Sequence, residues 1–237
     1  MEQEWDFFSR NSGTLLTPED VYKRLRDARA AAKAHRYEEA LDGYLWFHEN
    51  SSDVPGMAGV RLSFALADWI ALGRAYPPAR SALEALRDRK AKIILKGFRD
   101  VAFFRDVVAI DKRLGRERAT YELFIELHAA SPDLAQNYAR LALPAIIHSG
   151  DPHLARQFLP VPSVELSRLR STFDASSGRM RLGVAVEIFV RGLRELLDTF
   201  HAIGESTEAG RIRATALESF ESLEVRDAVR RELERWE

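Results

Sequence analysis

Apolar side chains recur at three- and four-residue spacing along almost the whole chain, and this spacing is the feature that most constrains the fold. Val, Ile and Thr never accumulate in alternating runs, whereas Ala, Leu, Arg and Glu dominate almost everywhere. Spacing of this kind is typical of amphipathic α-helices, while alternation with a period of two would indicate strands. The sequence therefore predicts an all-α fold.

Helix-start signals divide this pattern into segments. The stretch "TPED" supplies Thr17 as an N-cap and Pro18 as the first helical residue. "SPDL" at Ser131 and "GDPH" at Asp151 have the same form. The predicted helices are 18–34, 37–50, 56–74, 77–96, 98–114, 117–130, 133–149, 152–159, 164–176, 180–203, 206–222 and 224–236. Short connections force neighbouring helices to run antiparallel, so we expect a succession of helical hairpins.

A turn followed by an alanine recurs along the chain. The stretch "HRYEEALDGYLWF" at 35–47 contains Ala40, and comparable turns precede Ala79, Ala119 and Ala155. The separations of 39, 40 and 36 residues between these alanines lie near the period of stacked helical pairs. A small residue early in the second helix of a pair lets that helix approach the first at about 8–10 Å.

The strongest copies of this pattern, "HRYEEALDGY" and "WIALGRAYPPARSAL", resemble the tetratricopeptide repeat family. The resemblance covers about residues 18–160 and implies a right-handed solenoid of helical hairpins with C-terminal capping helices. Linkers such as "NSSDVPGMAG" account for a spacing longer than the usual unit of about 34 residues. We therefore divide the sequence into an N-terminal extension (1–17), helical repeats (18–160) and a C-terminal helical segment (161–237) that packs on the repeats.

A second apolar pattern marks the C-terminal segment, which begins at Pro160 and Pro162. The predicted helix 180–203 carries an apolar seam in which steps of four and three residues alternate. The seam consists of Leu182, Val186, Phe189, Leu193, Leu196, Phe200 and Ile203. We interpret it as the buried side of a helix that covers the end of the repeats. The alternative is a coiled-coil contact through 180–203 in a homodimer.

Composition limits the classes of chemistry that this chain can perform. The 237 residues are 46% hydrophobic and include no Cys, and the formal net charge is -1. The absence of Cys excludes disulfides, thiolate metal sites and cysteine nucleophiles, and the near-zero net charge gives no overall field that favours nucleic acid. The N-terminus lacks the features of a secretory signal, and no stretch reaches the roughly 18 apolar residues of a membrane span. We therefore expect a cytoplasmic protein.

The sequence carries none of the common catalytic or cofactor motifs. It has no Gly-x-x-x-x-Gly-Lys, no Gly-x-Gly-x-x-Gly, no His-Glu-x-x-His and no Gly-x-Ser-x-Gly. His148, Asp151 and His153 are close in sequence, and we interpret them as a hairpin turn with Asp151 as an N-cap rather than as a metal or acid–base site. The prediction is therefore no catalytic residue, no metal and no cofactor.

The resemblance implies that the first helices of the hairpins line a groove for an extended peptide or a partner helix. The implied binding residues are Tyr22, Leu25, Arg29, Lys33, Arg61, Phe64, Asp68, Val101, Phe104, Val108, Asp111, Lys112, Asn137, Arg140 and His148. The leading functional prediction is a protein–protein interaction module, an adaptor or regulatory scaffold without catalysis. An enzyme or small-molecule sensor with a pocket between the repeats and the C-terminal helices is one alternative.

A local excess of basic residues in 86–99, "LRDRKAKIILKGFR", offers a different binding surface. The basic residues are Arg87, Arg89, Lys90, Lys92, Lys96 and Arg99, against the single acid Asp88. A patch of this kind attracts nucleic-acid phosphates, an anionic membrane or an acidic protein. The other interpretation is a solvated helix face whose charge is balanced elsewhere in the fold.

Overall fold

The structure is a computed structural model that describes residues 16–235, and these residues form helices joined by short connections, with no strand among them. The helices of the first part are α1 (Pro18–Lys33), α2 (Tyr37–Asn50), α3 (57–75), α4 (Pro77–Leu95) and α5 (Val101–Leu114). Those of the second part are α6 (Glu117–Ala130), α7 (Pro132–His148), α8 (Pro152–Gln157), α9 (Pro162–Ser177), α10 (Leu182–Ala202), α11 (Ser206–Glu218) and α12 (Leu223–Glu234). The predicted all-α class is confirmed. Most of the predicted N-terminal extension, residues 1–15, lies outside the described residues.

Capping accounts for several helix starts. The hydroxyl of Thr17 accepts a hydrogen bond from the backbone N–H of Asp20 at 3.2 Å, and the Asp20 carboxylate accepts one from the backbone N–H of Thr17 at 2.9 Å. This reciprocal pair is a capping box. At α8, the Asp151 carboxylate accepts from the N–H of Leu154 at 2.9 Å. Ser131 makes no capping hydrogen bond with its side chain, yet α7 still begins at the proline that follows it.

The chain divides into two compact units, with the boundary between Ala119 and Thr120. In the first unit each helix packs against the next, from α1 to α5, and α3 also packs against α5. The sequence pattern predicts a division after residue 160 instead. The prolines at that point begin α9 inside the second unit, because proline favours the first turn of a helix as well as the end of the preceding one.

Two glycines of the first unit lie at close contacts between helices. A Cβ added at Gly43 in α2 would lie only 2.6 Å from the Cβ of Ala28 in α1. A Cβ added at Gly73 in α3 would lie 3.2 Å from a backbone nitrogen of α4. The alanines that the sequence analysis singled out, Ala40 and Ala79, are fully buried in the same hairpins. That these alanines make the close contacts of their hairpins stays a prediction.

The second unit is built around α10, which packs against α9, α11 and α12. Phe173, Phe189 and Phe220 form a triangle of edge-to-face rings, with centroids 5.0 to 6.1 Å apart. The apolar seam of α10 is buried from Val186 onward, whereas Leu182 at its start is exposed. The seam is therefore a buried helix face, as predicted, and the prediction that this helix covers the end of the repeats stays a prediction. Because helices of the same chain cover it, this face is not free for the alternative contact between two copies through 180–203.

Candidate functional site

Four ionisable side chains meet inside the first unit, and we name them the buried cluster: His48, Arg61, Lys90 and Asp106. They come from α2, α3, α4 and α5, and all four are buried. The two terminal nitrogens of Arg61 donate to the two carboxylate oxygens of Asp106, at 2.9 and 2.6 Å, and Lys90 Nζ donates to the same carboxylate at 2.6 Å. Charge-assisted bonds of this geometry are strong and directional. One carboxylate thus ties α3 and α4 to α5.

The protonation states of the buried cluster follow from burial and mutual contact. Burial lowers the pKa of His48 to about 4, although Asp106 acts in the opposite direction. Burial would raise the pKa of Asp106, but hydrogen bonds with His48 and Arg61 hold it below its ordinary value. Burial lowers the pKa of Lys90, and its contact with Asp106 opposes that change. At pH 7 the histidine is therefore neutral and the aspartate ionised.

A second buried ion pair joins α4 to α5. The Nε of Arg87 donates to both carboxylate oxygens of Asp111, at 2.9 and 3.1 Å, and its Nη2 donates to one of them at 2.8 Å. The same Nη2 also donates to the backbone carbonyl of Ala119 at 3.1 Å. Asp106 and Asp111 are the two acidic residues of α5, and both are buried inside the unit.

The outward side of α5 is cationic as a result. Arg105, Lys112 and Arg113 are exposed, and none of the three forms an ion pair with another residue in the part of the chain that the structure describes. Acids spaced three or four residues from a cation on an exposed helix face would ordinarily neutralise it. On α5 no acid has this spacing from any of the three cations, and its two acids are buried, so the positive charge faces the solvent.

The basic stretch 86–99 does not form one surface. Arg87 and Lys90 are buried and bound to Asp111 and Asp106, because their positions on α4 face α5. The remaining basic side chains are exposed. They are Arg89, Lys92, Lys96 and Arg99. The surface that could attract an anion is therefore smaller than the sequence predicts.

The predicted groove residues fall into three groups by exposure. The buried ones are Leu25, Arg61, Phe104 and Asp111, and the half-buried ones are Tyr22, Arg29, Asp68, Val101 and Val108. The exposed ones are Lys33, Phe64 and Lys112 in the first unit and Asn137, Arg140 and His148 on α7 in the second. Arg140 also pairs with Glu165 on α9 at 2.5 Å. The four buried side chains support the fold of this surface and do not form part of it.

A π-helical turn, Arg61–Ala65, interrupts α3 and determines which of its side chains reach the solvent. In a regular α-helix, residues three apart lie on the same face. The wider π-helical turn separates them. Arg61 is consequently 3% exposed and reaches Asp106, whereas Phe64 is 65% exposed. Nothing in the spacing of the apolar residues predicts this turn.

An ion pair joins α1 to α3 at the surface. Arg29 places its Nε and Nη2 at 2.7 and 2.6 Å from a carboxylate oxygen of Asp68. Phe64, Asp68 and Ala71 follow each other at spacings of four and three residues, so they share one face of α3. The ion pair therefore places this face of α3 next to the side of α1 that carries Arg29.

Two further rows of side chains border this face of α3. On α1, Tyr22 and Lys33 lie seven residues before and four residues after the ion-paired arginine, on the same side of the helix. On α5, Arg105, Ala109 and Lys112 have spacings of four and three, and Ala109 packs against the apolar core of the first unit. We name the combined surface the first-helix face: Tyr22, Arg29, Lys33, Phe64, Asp68, Ala71, Arg105, Ala109 and Lys112.

The turn between α7 and α8 has a structural role. Asp151 caps α8 and also accepts a hydrogen bond from the hydroxyl of Tyr121 at 3.0 Å. Within residues 16–235, no group of three or more His, Asp or Glu side chains is arranged to hold a metal ion. No helix in that range is long and apolar enough to cross a bilayer.

Comparison with family models, with curated proteins and with solved structures finds no match to this chain. The resemblance to tetratricopeptide repeats therefore stays a prediction. The geometry of the described residues is the basis for a functional proposal.

Proposed function

We propose that this protein is an interaction module, an adaptor or regulatory scaffold, that binds another protein through the first-helix face. The exposed ring of Phe64 is the observation that carries the proposal. Aromatic side chains that become buried on association supply much of the binding energy in protein interfaces. In the free protein this ring is exposed to solvent, on a helix that packs against α2, α4 and α5.

Ion pairs join α3, the helix that carries this ring, to two other helices. Arg29 and Asp68 join α1 to α3, and Arg61 and Asp106 join α3 to α5. A surface whose helices are already fixed loses little conformational entropy when a partner binds. This support favours a rigid docking face over a segment that folds on binding.

The succession of antiparallel helices in the first unit also supports the proposal. If the hairpins stack as in tetratricopeptide repeats, the first helices α1, α3 and α5 line one surface, which would accept an extended peptide or a partner helix. Contacts between α3 and α5 agree with this arrangement.

The proposal can be tested with two matched substitutions of exposed apolar residues. Phe64→Ser removes the proposed anchor, and Leu223→Ser changes a side chain of similar exposure, 69%, in the second unit. We expect a partner recovered by affinity purification from the source cells to be lost with Phe64→Ser and retained with Leu223→Ser. A partner that binds both variants as well as the parent protein would contradict the proposal.

A second candidate function is binding of an anionic polymer or surface by the exposed part of the basic stretch. Lys92, Lys96 and Arg99 are exposed and form no ion pair with another described residue. This candidate predicts retention on heparin that falls steeply with salt. The triple change of these three residues to Glu would abolish the retention, and equal elution of parent and variant would rule the candidate out.

A further inference from the structure

We infer that the partner of the first-helix face is an acidic protein segment in which Asp or Glu side chains flank an apolar anchor. The inference rests on the proposed function and concerns the charge of the same surface. Its cations Lys33, Arg105 and Lys112 have no ion-pair partner within the described chain. The one acid of this surface, Asp68, is already bound to Arg29. Among residues 16–235, the face therefore carries three cations without a paired acid, together with one exposed aromatic ring.

The distribution of charge over the first unit strengthens this inference. The acids of α5 are buried in internal ion pairs, while its cations face outward. The exposed side of α2 is the opposite, because it carries Glu38, Asp42 and Glu49, and α2 contains neither Lys nor Arg. An acidic segment is thus attracted to the first-helix face and repelled from α2. Complementary charge of this kind orients a partner and speeds its association.

The shape of the apolar strip favours a helical or extended peptide over a nucleic acid. Phe64 is followed on α3 by Ala71 of the same face and by Ala67, which adjoins Asp68 in the chain, and both alanines are exposed. From Phe64 to Ala71 this apolar strip is about 10 Å long at 1.5 Å per residue. A partner helix presents anchors at i, i+4 and i+7 over the same length. Single-stranded nucleic acid is bound by several aromatic rings in series, whereas this strip offers one ring followed by methyl groups.

A selection experiment on the full-length protein tests the inference without knowledge of the natural partner. The probe is a displayed library of helical peptides with randomised surface positions. We expect the selected peptides to be enriched in Asp and Glu around an apolar triplet. Their affinity should fall about ten-fold or more in a Lys33→Glu, Lys112→Glu double variant. Peptides in which the acids are replaced by Lys should bind that variant better than they bind the parent protein.

The outcomes separate the inference from the function on which it rests. Selected peptides that are neutral or basic, but lose affinity with Phe64→Ser, would overturn the acidic partner and leave the interaction module standing. Peptides insensitive to Phe64→Ser, or no peptides at all, would contradict the proposed function itself. A single-stranded 20-mer oligonucleotide that displaces the peptides and depends on Lys33 and Lys112 would assign the face to nucleic acid and overturn the inference. Circular dichroism and thermal melting of each variant establish that it is folded.

Discussion

The two units of this protein each have an apolar core, but they differ in the ionised side chains that they bury. The first encloses ionic contacts, with Asp106 bound to two cations and Asp111 bound to Arg87. The second encloses an apolar core, and its buried acid Glu165 pairs with arginines that are themselves largely exposed. Apolar packing tolerates many arrangements of similar volume, whereas a buried carboxylate needs its partners in fixed positions. The comparison indicates that the first unit fixes its helices by charge and, in doing so, leaves a cationic surface.

The largest expected effect is the loss of Asp106. Asp106→Ala would leave Arg61 and Lys90 buried without a counter-charge, and we expect it to cost about 3–5 kcal/mol of unfolding free energy. The matched control is Asp174→Ala in the second unit, which removes an exposed pair with Arg170 and should cost about 0–1 kcal/mol. Urea denaturation measures both. Equal losses would show that the buried cluster does not hold the first unit together.

The units should also differ in their response to acid. The pKa of His48 is about 4 in the folded protein, below its ordinary value of 6.5. Between these two values the unfolded chain binds more protons than the folded one, so stability falls as the pH is lowered through this window. The full loss is about 3 kcal/mol. This loss of stability is complete below about pH 4, the pKa in the folded protein, and absent above pH 6.5.

Hydrogen exchange as a function of pH measures this difference. Amides of α2, α3 and α5 should lose protection between pH 6.5 and 4, and His48→Gln should remove most of that loss. The second unit has no fully buried histidine among its described residues, so its amides should change less. Parallel loss of protection in both units, unchanged by His48→Gln, would contradict the assignment.

A smaller effect compares the closest helix contacts of the two units. Gly43→Ala should cost about 1–3 kcal/mol, because the new methyl group meets Ala28, which has no side-chain torsion to relieve the contact. Gly192→Ala in α10 meets the terminal methyl group of Leu169, which can rotate away, so its cost should be lower. Gly210→Ala, which meets nothing within 4 Å, should stabilise the protein by up to about 1 kcal/mol. Thermal melts that place Gly192→Ala below Gly43→Ala would reverse the predicted order.

Sequence patterns predicted the helices well because local chemistry determines them. Thr17 and Asp151 cap helices at the predicted positions, and α6 occupies its predicted range, 117–130. Alternation of three- and four-residue steps likewise identified the buried seam of α10. These features depend on residues close in sequence, for which a single chain supplies enough information.

Sequence patterns could not predict the buried ion pairs of the first unit. Lys90 and Arg87 belong to a stretch that looks like a solvated basic face, and their partners Asp106 and Asp111 are 16 and 24 residues away. Which cations turn inward depends on the packing of α4 against α5 and on the π-helical turn of α3. Resemblance to a repeat family nevertheless predicts Phe64 as a binding residue. Its side chain is exposed, and its role in binding stays a prediction.

We propose that the first-helix face, and not the basic stretch, is the cationic surface that binds the partner. Two charge reversals of equal size distinguish them: Lys33→Glu with Lys112→Glu on the face, and Lys92→Glu with Lys96→Glu on the stretch. Lys90 is unsuitable for this comparison because it is buried.

The decisive measurement is the affinity of the selected acidic peptide as a function of NaCl concentration for the parent protein and both double variants. We expect the first pair to lower the affinity about ten-fold or more and to flatten its salt dependence, while the second pair changes both by less than about two-fold. The opposite ranking, with the larger loss in the Lys92 and Lys96 variant, would contradict the proposal.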